Sequence, residues 1–235
     1  MIATRERLIV ALDVPTDTDA RALVERLDDS VYFYKIGLEL FMARNSFDLI
    51  DWLLGRGKKV FVDLKFFDVP TTVGRAIRQL TGRGISFTTV HGNDSIMRAA
   101  AEAKGDVSIL AVTVLTSLDR GDLDDLGFDC DVEALVMSRA RRAIQTGCDG
   151  VIASGLEARS LRDALGDKFL VVSPGIRPID NDDDQKRVVT PAQAFENGAD
   201  YIVVGRPIRD AENPGWAAQR IQDEIAKVFP LPSCN

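Results

Sequence analysis

The sequence has few of the residues from which metal centres and disulfide frameworks are built. It contains one histidine and three cysteines among 235 residues, and Cys130, Cys148 and Cys234 are scattered without paired spacing. A single histidine leaves no His-rich metal site. An odd set of isolated cysteines is typical of free thiols in a reducing cytosol. We therefore expect neither a metal ion nor a disulfide.

Long apolar runs and clustered positive charge are also missing. No segment is apolar for long enough to span a bilayer, and the N-terminal stretch MIATRERLIVALDV lacks the core and cleavage site of a signal peptide. The net charge is −7 and the pI is near 4.9, which disfavours binding to phosphate backbones. These absences predict a cytoplasmic protein that binds neither nucleic acid nor membranes. A small anionic ligand, held by a few local cations, remains compatible with them.

What the sequence does contain is a regular alternation of short apolar runs and helical patterns. Such near-continuous runs are typical of parallel strands covered on both faces. One long helix is predicted for residues 38–57. A doubly wound sheet should have a glycine-rich turn after its first strand, whereas this chain reads ALDVPTDTD there. The sequence therefore predicts a single-domain (β/α)8 TIM barrel over residues 1–235. The eight runs are residues 7–13, 31–37, 58–65, 84–92, 107–115, 148–154, 168–175 and 200–206.

Charged residues interrupt the apolar pattern where the first three predicted strands end. Asp13 ends the first run, Lys35 lies near the end of the second, and Asp63 and Lys65 end the third. Asp63 and Lys65 are two residues apart, so they lie on the same side of the strand, while Leu64 faces the helices. Burying several charges costs more than apolar packing, and barrels build active sites at this end of their strands. The pattern therefore favours a catalytic site over a structural salt bridge.

A second group of polar residues follows the fifth, seventh and eighth runs. Arg177 in SPGIRP and Arg206 in VVGRPI each lie beside a glycine, in the two loops where barrels commonly bind phosphate. The connections over residues 116–131 and 176–189 are unusually long, as functional loops often are. Thr116 and Ser117 begin the first of them, and Gln185 lies in the second.

In order along the chain, six segments resemble the orotidine 5′-phosphate decarboxylase family: IVALDVP, YKIGLELF, VFVDLKFFDVPTTV, AVTVLTSL, VSPGIRP and DQKRVVTPAQAFENGADYIVVGRPI. The resemblance implies conversion of orotidine 5′-monophosphate (OMP) to UMP and carbon dioxide, with no cofactor and no metal. It implies that Lys65 donates a proton to C6 of the pyrimidine and that Asp63 lies against the departing carboxylate. Asp13 and Lys35 would hold ribose hydroxyls and complete an alternating charge network.

The resemblance also implies a homodimer with shared active sites. Asp68 and Thr72 would reach into the site of the neighbouring subunit, with Asp68 counted among the catalytic residues beside Lys35, Asp63 and Lys65. Ser117, alone or with Thr116, would bind the pyrimidine edge. The phosphate group would be held by Arg177, Gln185, Gly205 and Arg206.

Two other functions remain open from the residues. Magnesium-dependent keto-sugar-phosphate decarboxylases and hexulose-phosphate synthases resemble the chain around Asp63, Lys65 and Asp68, but they carry a metal-binding glutamate where this chain has Lys35. A lysine would occupy the metal's electrostatic position, since a hard cation requires oxygen ligands. A catalytically inactive, nucleotide-binding barrel should have lost a member of the charge network, and every member is present in the sequence.

Overall fold

The computed structural model describes residues 2–177 and 188–230 of the chain. Eight parallel strands form a closed barrel in which each strand pairs with the next and β8 pairs with β1. The predicted (β/α)8 barrel is therefore confirmed. The strands are β1 (Leu8–Ala11), β2 (Phe33–Gly37), β3 (Lys59–Phe66), β4 (Phe87–Val90), β5 (Ser108–Val112), β6 (Gly150–Ile152), β7 (Leu170–Ser173) and β8 (Tyr201–Val204).

Helices surround the barrel, and several begin at side chains that accept a backbone N–H, as Thr16, Asn93 and Asp131 do. Among the described residues, no helix has both the length and the apolar character needed to cross a bilayer. The helices are α1 (Asp17–Leu27), α2 (Leu38–Met42), α3 (Ser46–Gly55), α4 (Pro70–Arg78), α5 (Asp94–Ala103), α6 (Arg120–Asp125), α7 (Val132–Gln145), α8 (Ala158–Leu165), α9 (Pro191–Glu196), α10 (Arg206–Arg209) and α11 (Pro214–Val228).

The prediction of one helix over residues 38–57 is wrong, because the chain breaks between α2 and α3. Asn45 adopts a left-handed conformation with φ of 67°. The Ser46 hydroxyl donates to the carbonyl oxygen of Ala43 at 2.9 Å, so a side chain takes an acceptor that a continuous helix would use. Asparagine tolerates the left-handed region better than most residues, so the break between α2 and α3 can occur at position 45.

The barrel interior is closed by aromatic rings below its C-terminal mouth. Phe33, Phe61, Phe87 and Tyr201 belong to one buried cluster, and the rings of Phe33 and Phe87 have centroids 5.1 Å apart. Along β3, Phe61 faces this interior cluster, whereas Val62 packs in the layer between strands and helices. Alternation along the strand therefore directs Asp63 inwards, immediately above the aromatic layer.

Candidate active site

Four charged side chains, at the end of β2 and β3 and just past β1, form a continuous chain at the mouth of the barrel. The Nζ atom of Lys35 lies 2.9 Å from Oδ1 of Asp13 and 3.6 Å from Oδ2 of Asp63. The Nζ atom of Lys65 lies 3.0 Å from both carboxylate oxygens of Asp63. Strand register explains the arrangement, since Ala11 pairs with Lys35 and Gly37 pairs with Asp63. Asp13, Lys35, Asp63 and Lys65 thus alternate in charge around one side of the mouth.

Asp63 is the centre of this network and is only 9% exposed. Burial by itself raises the pKa of the Asp63 carboxyl, but the nearby ammonium groups of Lys35 and Lys65 and the hydrogen bonds it accepts outweigh burial. The net result is a pKa below the ordinary aspartate value. Asp63 is therefore a carboxylate at neutral pH, although it has little contact with solvent.

The backbone of Lys65 departs from ordinary strand geometry. Its φ is 49°, in the left-handed region that residues with a side chain seldom adopt. The pairing of β3 with β4 shifts register between Val62 and Phe66, which places this irregularity at the Lys65 position. Such conformations persist where surrounding contacts hold them, and they concentrate at functional sites. The Lys65 side chain is therefore presented from an irregular part of β3.

Three further residues, none of them among the predicted site residues, lie against this network. The Thr89 hydroxyl donates to Oδ1 of Asp63 at 2.8 Å, and Nη1 of Arg209 donates to the Asp13 carbonyl oxygen at 2.7 Å. A β-carbon on Gly37 would lie 2.9 Å from both Asp13 Oδ1 and Lys35 Nζ. Inward alternation along β4 was a signal for Thr89. Nothing in the sequence indicates the crowding around Gly37.

The opposite side of the mouth carries the second predicted group. Thr116, Arg177, Gly205 and Arg206 line one cleft together with Asp13 and Lys35. Arg177 is only 6% exposed, and its Nη1 donates to the carbonyl oxygen of Ile176 at 2.9 Å, while Ser117 is exposed. Gln185 lies outside the described residues.

A larger hollow exists at the other end of the barrel, around Thr4, Arg5 and Tyr32. Its described lining residues include no lysine and therefore do not repeat the alternating chain of lysines and carboxylates. Chemistry, rather than size, identifies the C-terminal mouth as the candidate site.

Asp68 and Thr72 are both exposed and do not join the network of their own chain. The Asp68 carboxylate accepts the N–H of Val69 at 2.6 Å, and no ion pair joins it to a lysine of the described residues. Both residues lie just past β3, beside the mouth. Their side chains are therefore available to a second molecule.

The single histidine lies next to the network without joining it. The His91 ring meets the Phe67 ring edge-on, with centroids 5.7 Å apart. Burial first, and then the positive charges of Arg139 and Lys65, lower the pKa of His91 below its usual value, which favours a neutral ring. Within residues 2–177 and 188–230, no group of three or more His, Cys, Asp or Glu side chains is arranged to hold a metal ion.

Comparison with known proteins places this geometry in a family. The model of the orotidine 5′-phosphate decarboxylase / HUMPS family matches residues 6–221. The chain belongs to this family. All of the site residues described above lie inside the matched range.

Individual members of the orotidine 5′-phosphate decarboxylase / HUMPS family are similar to the chain over nearly its whole length. The orotidine 5′-phosphate decarboxylase of Methylococcus capsulatus is 65% identical over 230 residues, covering 97% of this chain and 95% of that protein. The enzyme of the same name from Nitrobacter winogradskyi is 51% identical, covering 94% and 93%. The crystal structure of orotidine 5′-phosphate decarboxylase from Lactobacillus acidophilus aligns with a TM-score of 0.82 at 37% identity, covering 94% and 99%.

Proposed function

We propose that the protein converts OMP to UMP and carbon dioxide in pyrimidine biosynthesis, without a metal or an organic cofactor. The observation that carries this proposal is the pair of contacts from Lys65 Nζ to both oxygens of buried Asp63. An ammonium group held against a carboxylate suits a reaction that removes a carboxylate and then supplies a proton. The names of the relatives, at up to 65% identity over nearly the whole chain, support the same substrate.

In the proposed reaction the bond between C6 and the carboxylate breaks, and its electron pair stays on C6 while carbon dioxide leaves. Lys65 then donates a proton from Nζ to C6, which gives UMP, and the neutral amine recovers its proton from solvent. Asp63 lies beside the substrate carboxylate, where its negative charge opposes that of the substrate. The fixed charges of the mouth stabilise the developing carbanion, because they need no reorganisation during the reaction.

The rest of the cleft binds the parts of the substrate that do not react. Asp13 and Lys35 hold ribose hydroxyls, and Thr116 and Ser117 bind the pyrimidine. The phosphate is held by Arg177, Gln185, Gly205 and Arg206. The position of Thr116, Arg177, Gly205 and Arg206 in one cleft with Asp13 and Lys35 supports this assignment. Binding energy from phosphate and ribose can then be used at C6.

The test is an assay of the purified protein with OMP after treatment with EDTA, following UMP formation by ultraviolet absorbance. We expect full activity, and no increase when Mg²⁺ is added. Turnover of OMP that appears only with Mg²⁺ would refute the metal-free mechanism, whereas Mg²⁺-dependent turnover of a keto-sugar phosphate in place of OMP would favour the keto-sugar-phosphate branch of the family. No turnover of OMP under any condition would refute the proposal.

The active form that we propose is a homodimer in which Asp68 and Thr72 complete the neighbouring subunit's site. Both side chains are exposed beside the mouth. The apolar side chains of Phe67 and Val69, which flank Asp68 in sequence, are also exposed, at 68% and 62%, and so is Met42 at the end of α2, at 76%. Apolar surface of this kind marks contact sites between proteins. If a second copy of the chain covered this surface, Asp68 would reach the mouth of that copy's barrel.

Mixing two inactive variants tests the shared site. Asp68→Ala and Lys65→Ala homodimers should each be nearly inactive. After subunit exchange, a mixed dimer has one site with both Lys65 and Asp68, so activity should return to about a quarter of the wild-type value in an equal mixture. If Asp68 served its own subunit, mixing would restore nothing. Light scattering of the wild-type protein should show a dimer, and a monomer with full activity would also refute the proposal.

A cytoplasmic location, and the absence of nucleic-acid and membrane partners, complete the proposal. The acidic net charge of −7 disfavours binding to nucleic acid and to anionic membrane surfaces.

A further inference from the structure

Thr89 contacts two neighbouring members of the charge network, Asp63 and Lys65. It lies on β4, is fully buried, and donates its hydroxyl proton to Oδ1 of Asp63 at 2.8 Å. The same hydroxyl oxygen accepts the backbone N–H of Lys65 at 2.9 Å. One short side chain therefore connects the carboxylate of Asp63 to the main chain of Lys65.

The direction of the Thr89 proton follows from these two contacts. A threonine hydroxyl has one proton to donate and lone pairs that accept. Because the Lys65 N–H can only donate, the hydroxyl must accept from it, and its own proton is left for the ionised carboxylate. A hydrogen bond to a charged acceptor is about twice as strong as one between neutral groups. The Thr89 hydroxyl itself is also isolated from water, since Thr89 is 0% exposed.

We propose that Thr89 is a positioning residue for decarboxylation, whose hydroxyl holds the Asp63 carboxylate and the left-handed backbone of Lys65 in the geometry that the reaction requires. This inference depends on the proposed function of the site. Thr89 does not touch the substrate, and it acts through the two residues that do. Removing its hydroxyl leaves the Lys65 N–H without this acceptor and deprives Asp63 of one of its donors.

The preceding residue offers a matched control. Thr88 is also fully buried on β4, and its hydroxyl donates to the Val62 carbonyl oxygen at 2.9 Å. It therefore joins β4 to β3 as Thr89 does, but its acceptor is a main-chain oxygen. Because consecutive strand residues point to opposite faces, Thr88 lies on the face away from the barrel interior. Thr88→Val and Thr89→Val each remove one buried hydroxyl from the same strand pair.

The experiment compares Thr89→Val, Thr89→Ser and Thr88→Val in steady-state assays with OMP across pH, with thermal unfolding measured in parallel. We expect Thr89→Val to lower kcat by about 10- to 100-fold, as small misplacements of reacting groups do. KM should change by less than about threefold, because the phosphate and ribose contacts are intact. Thr89→Ser should recover most of kcat, and Thr88→Val should lose stability but keep kcat.

The pH profile gives a readout that a purely structural role would not move. The Thr89 hydrogen bond is one of the contacts that lower the pKa of Asp63. Its loss should raise that pKa, so the acid limb of kcat in Thr89→Val should move to higher pH. An unmoved acid limb, or equal kcat in Thr89→Val and Thr88→Val, would overturn the inference.

If Thr89→Val does not fold, Thr89→Ser and Thr89→Ala make the same comparison with smaller side chains. Equal kcat in these two variants would overturn the inference as well. An inactive wild-type protein would instead refute the proposed function, so the two failures are distinguishable.

Discussion

The two ends of β3 each carry an inward-facing lysine paired with a carboxylate, but the two pairs are built differently. At the N-terminal end, Nζ of Lys59 lies 2.6 Å from Oε2 of Glu6. At the C-terminal end, Lys65 lies 3.0 Å from both oxygens of Asp63, which Lys35 also approaches at 3.6 Å. The two lysine side chains are similarly exposed, at 41% and 39%, whereas the acids differ, at 24% for Glu6 and 12% for Asp63.

This difference shows that an ion pair at a barrel end is not by itself a sign of catalysis. The Lys59 pair joins one base to one acid. The Asp63 carboxylate is shared between two lysines and Thr89, in a place where apolar packing would cost less. Sharing of a buried acid, together with the strained backbone of Lys65, distinguishes the end of the strand that we propose to be catalytic from the other end.

Replacing each lysine in turn is the strongest way to test the comparison. Lys65→Ala should fold and lose at least about 1000-fold in kcat, because the proposed proton donor is gone. Lys59→Ala removes a lysine of the same strand and should keep kcat. Steady-state assays with OMP, with circular dichroism as a check on folding, measure both. Retention of a tenth of the activity by Lys65→Ala would remove Lys65 from its assigned role.

The next largest loss of activity is expected from crowding in Gly37→Ala. The β-carbon of Gly37→Ala would lie 2.9 Å from the paired atoms of Asp13 and Lys35 and should push them apart, lowering kcat/KM by about 100-fold. Gly55→Ala at the end of α3 is the control, since no atom lies within 4 Å of its β-carbon. Kinetic assays of both variants check this expectation. Equal activities would show that the network tolerates displacement.

The pH dependence of the free energy of unfolding is a third test of the C-terminal pair. The pKa of Asp63 is lowered on folding, so its ionisation stabilises the protein above the unfolded aspartate pKa of about 3.9. This contribution is lost as pH falls from that value through the lower folded pKa. The free energy of unfolding of the wild type, minus that of Asp63→Asn, should therefore be constant from pH 5 to 7, because pH 5 is already about one unit above the unfolded pKa. Below the unfolded pKa the difference should decrease. Urea titrations across pH measure the difference, and a flat difference through the acid range would contradict the assignment.

The smallest effect is expected at the N-terminal end of β3. Glu6→Gln leaves Lys59 partly exposed to water, so the free energy of unfolding should change by less than about 1 kcal/mol and kcat should be unchanged. Urea denaturation and OMP assays measure the two quantities. A loss of activity here would show that the ends of the barrel are coupled through the aromatic layer.

Much of the fold could be predicted from local pattern. The apolar runs predicted all eight strands in order, and β3 extends only one residue beyond its predicted run, to Phe66. The helix break at Asn45 was missed because apolar periodicity continues through it, while the side-chain hydrogen bond of Ser46 that accompanies it is invisible to periodicity.

The sequence by itself determined the barrel and the clustering of Asp13, Lys35, Asp63 and Lys65, because strand alternation and parallel pairing follow from local pattern. Only the tertiary structure decided how Asp63 is satisfied, since Thr89 reaches it from another strand, 26 residues away in sequence. Tertiary contacts likewise decided the left-handed backbone of Lys65 and the need for glycine at position 37. These features depend on distances of a few ångströms between strands, and no local pattern records such distances.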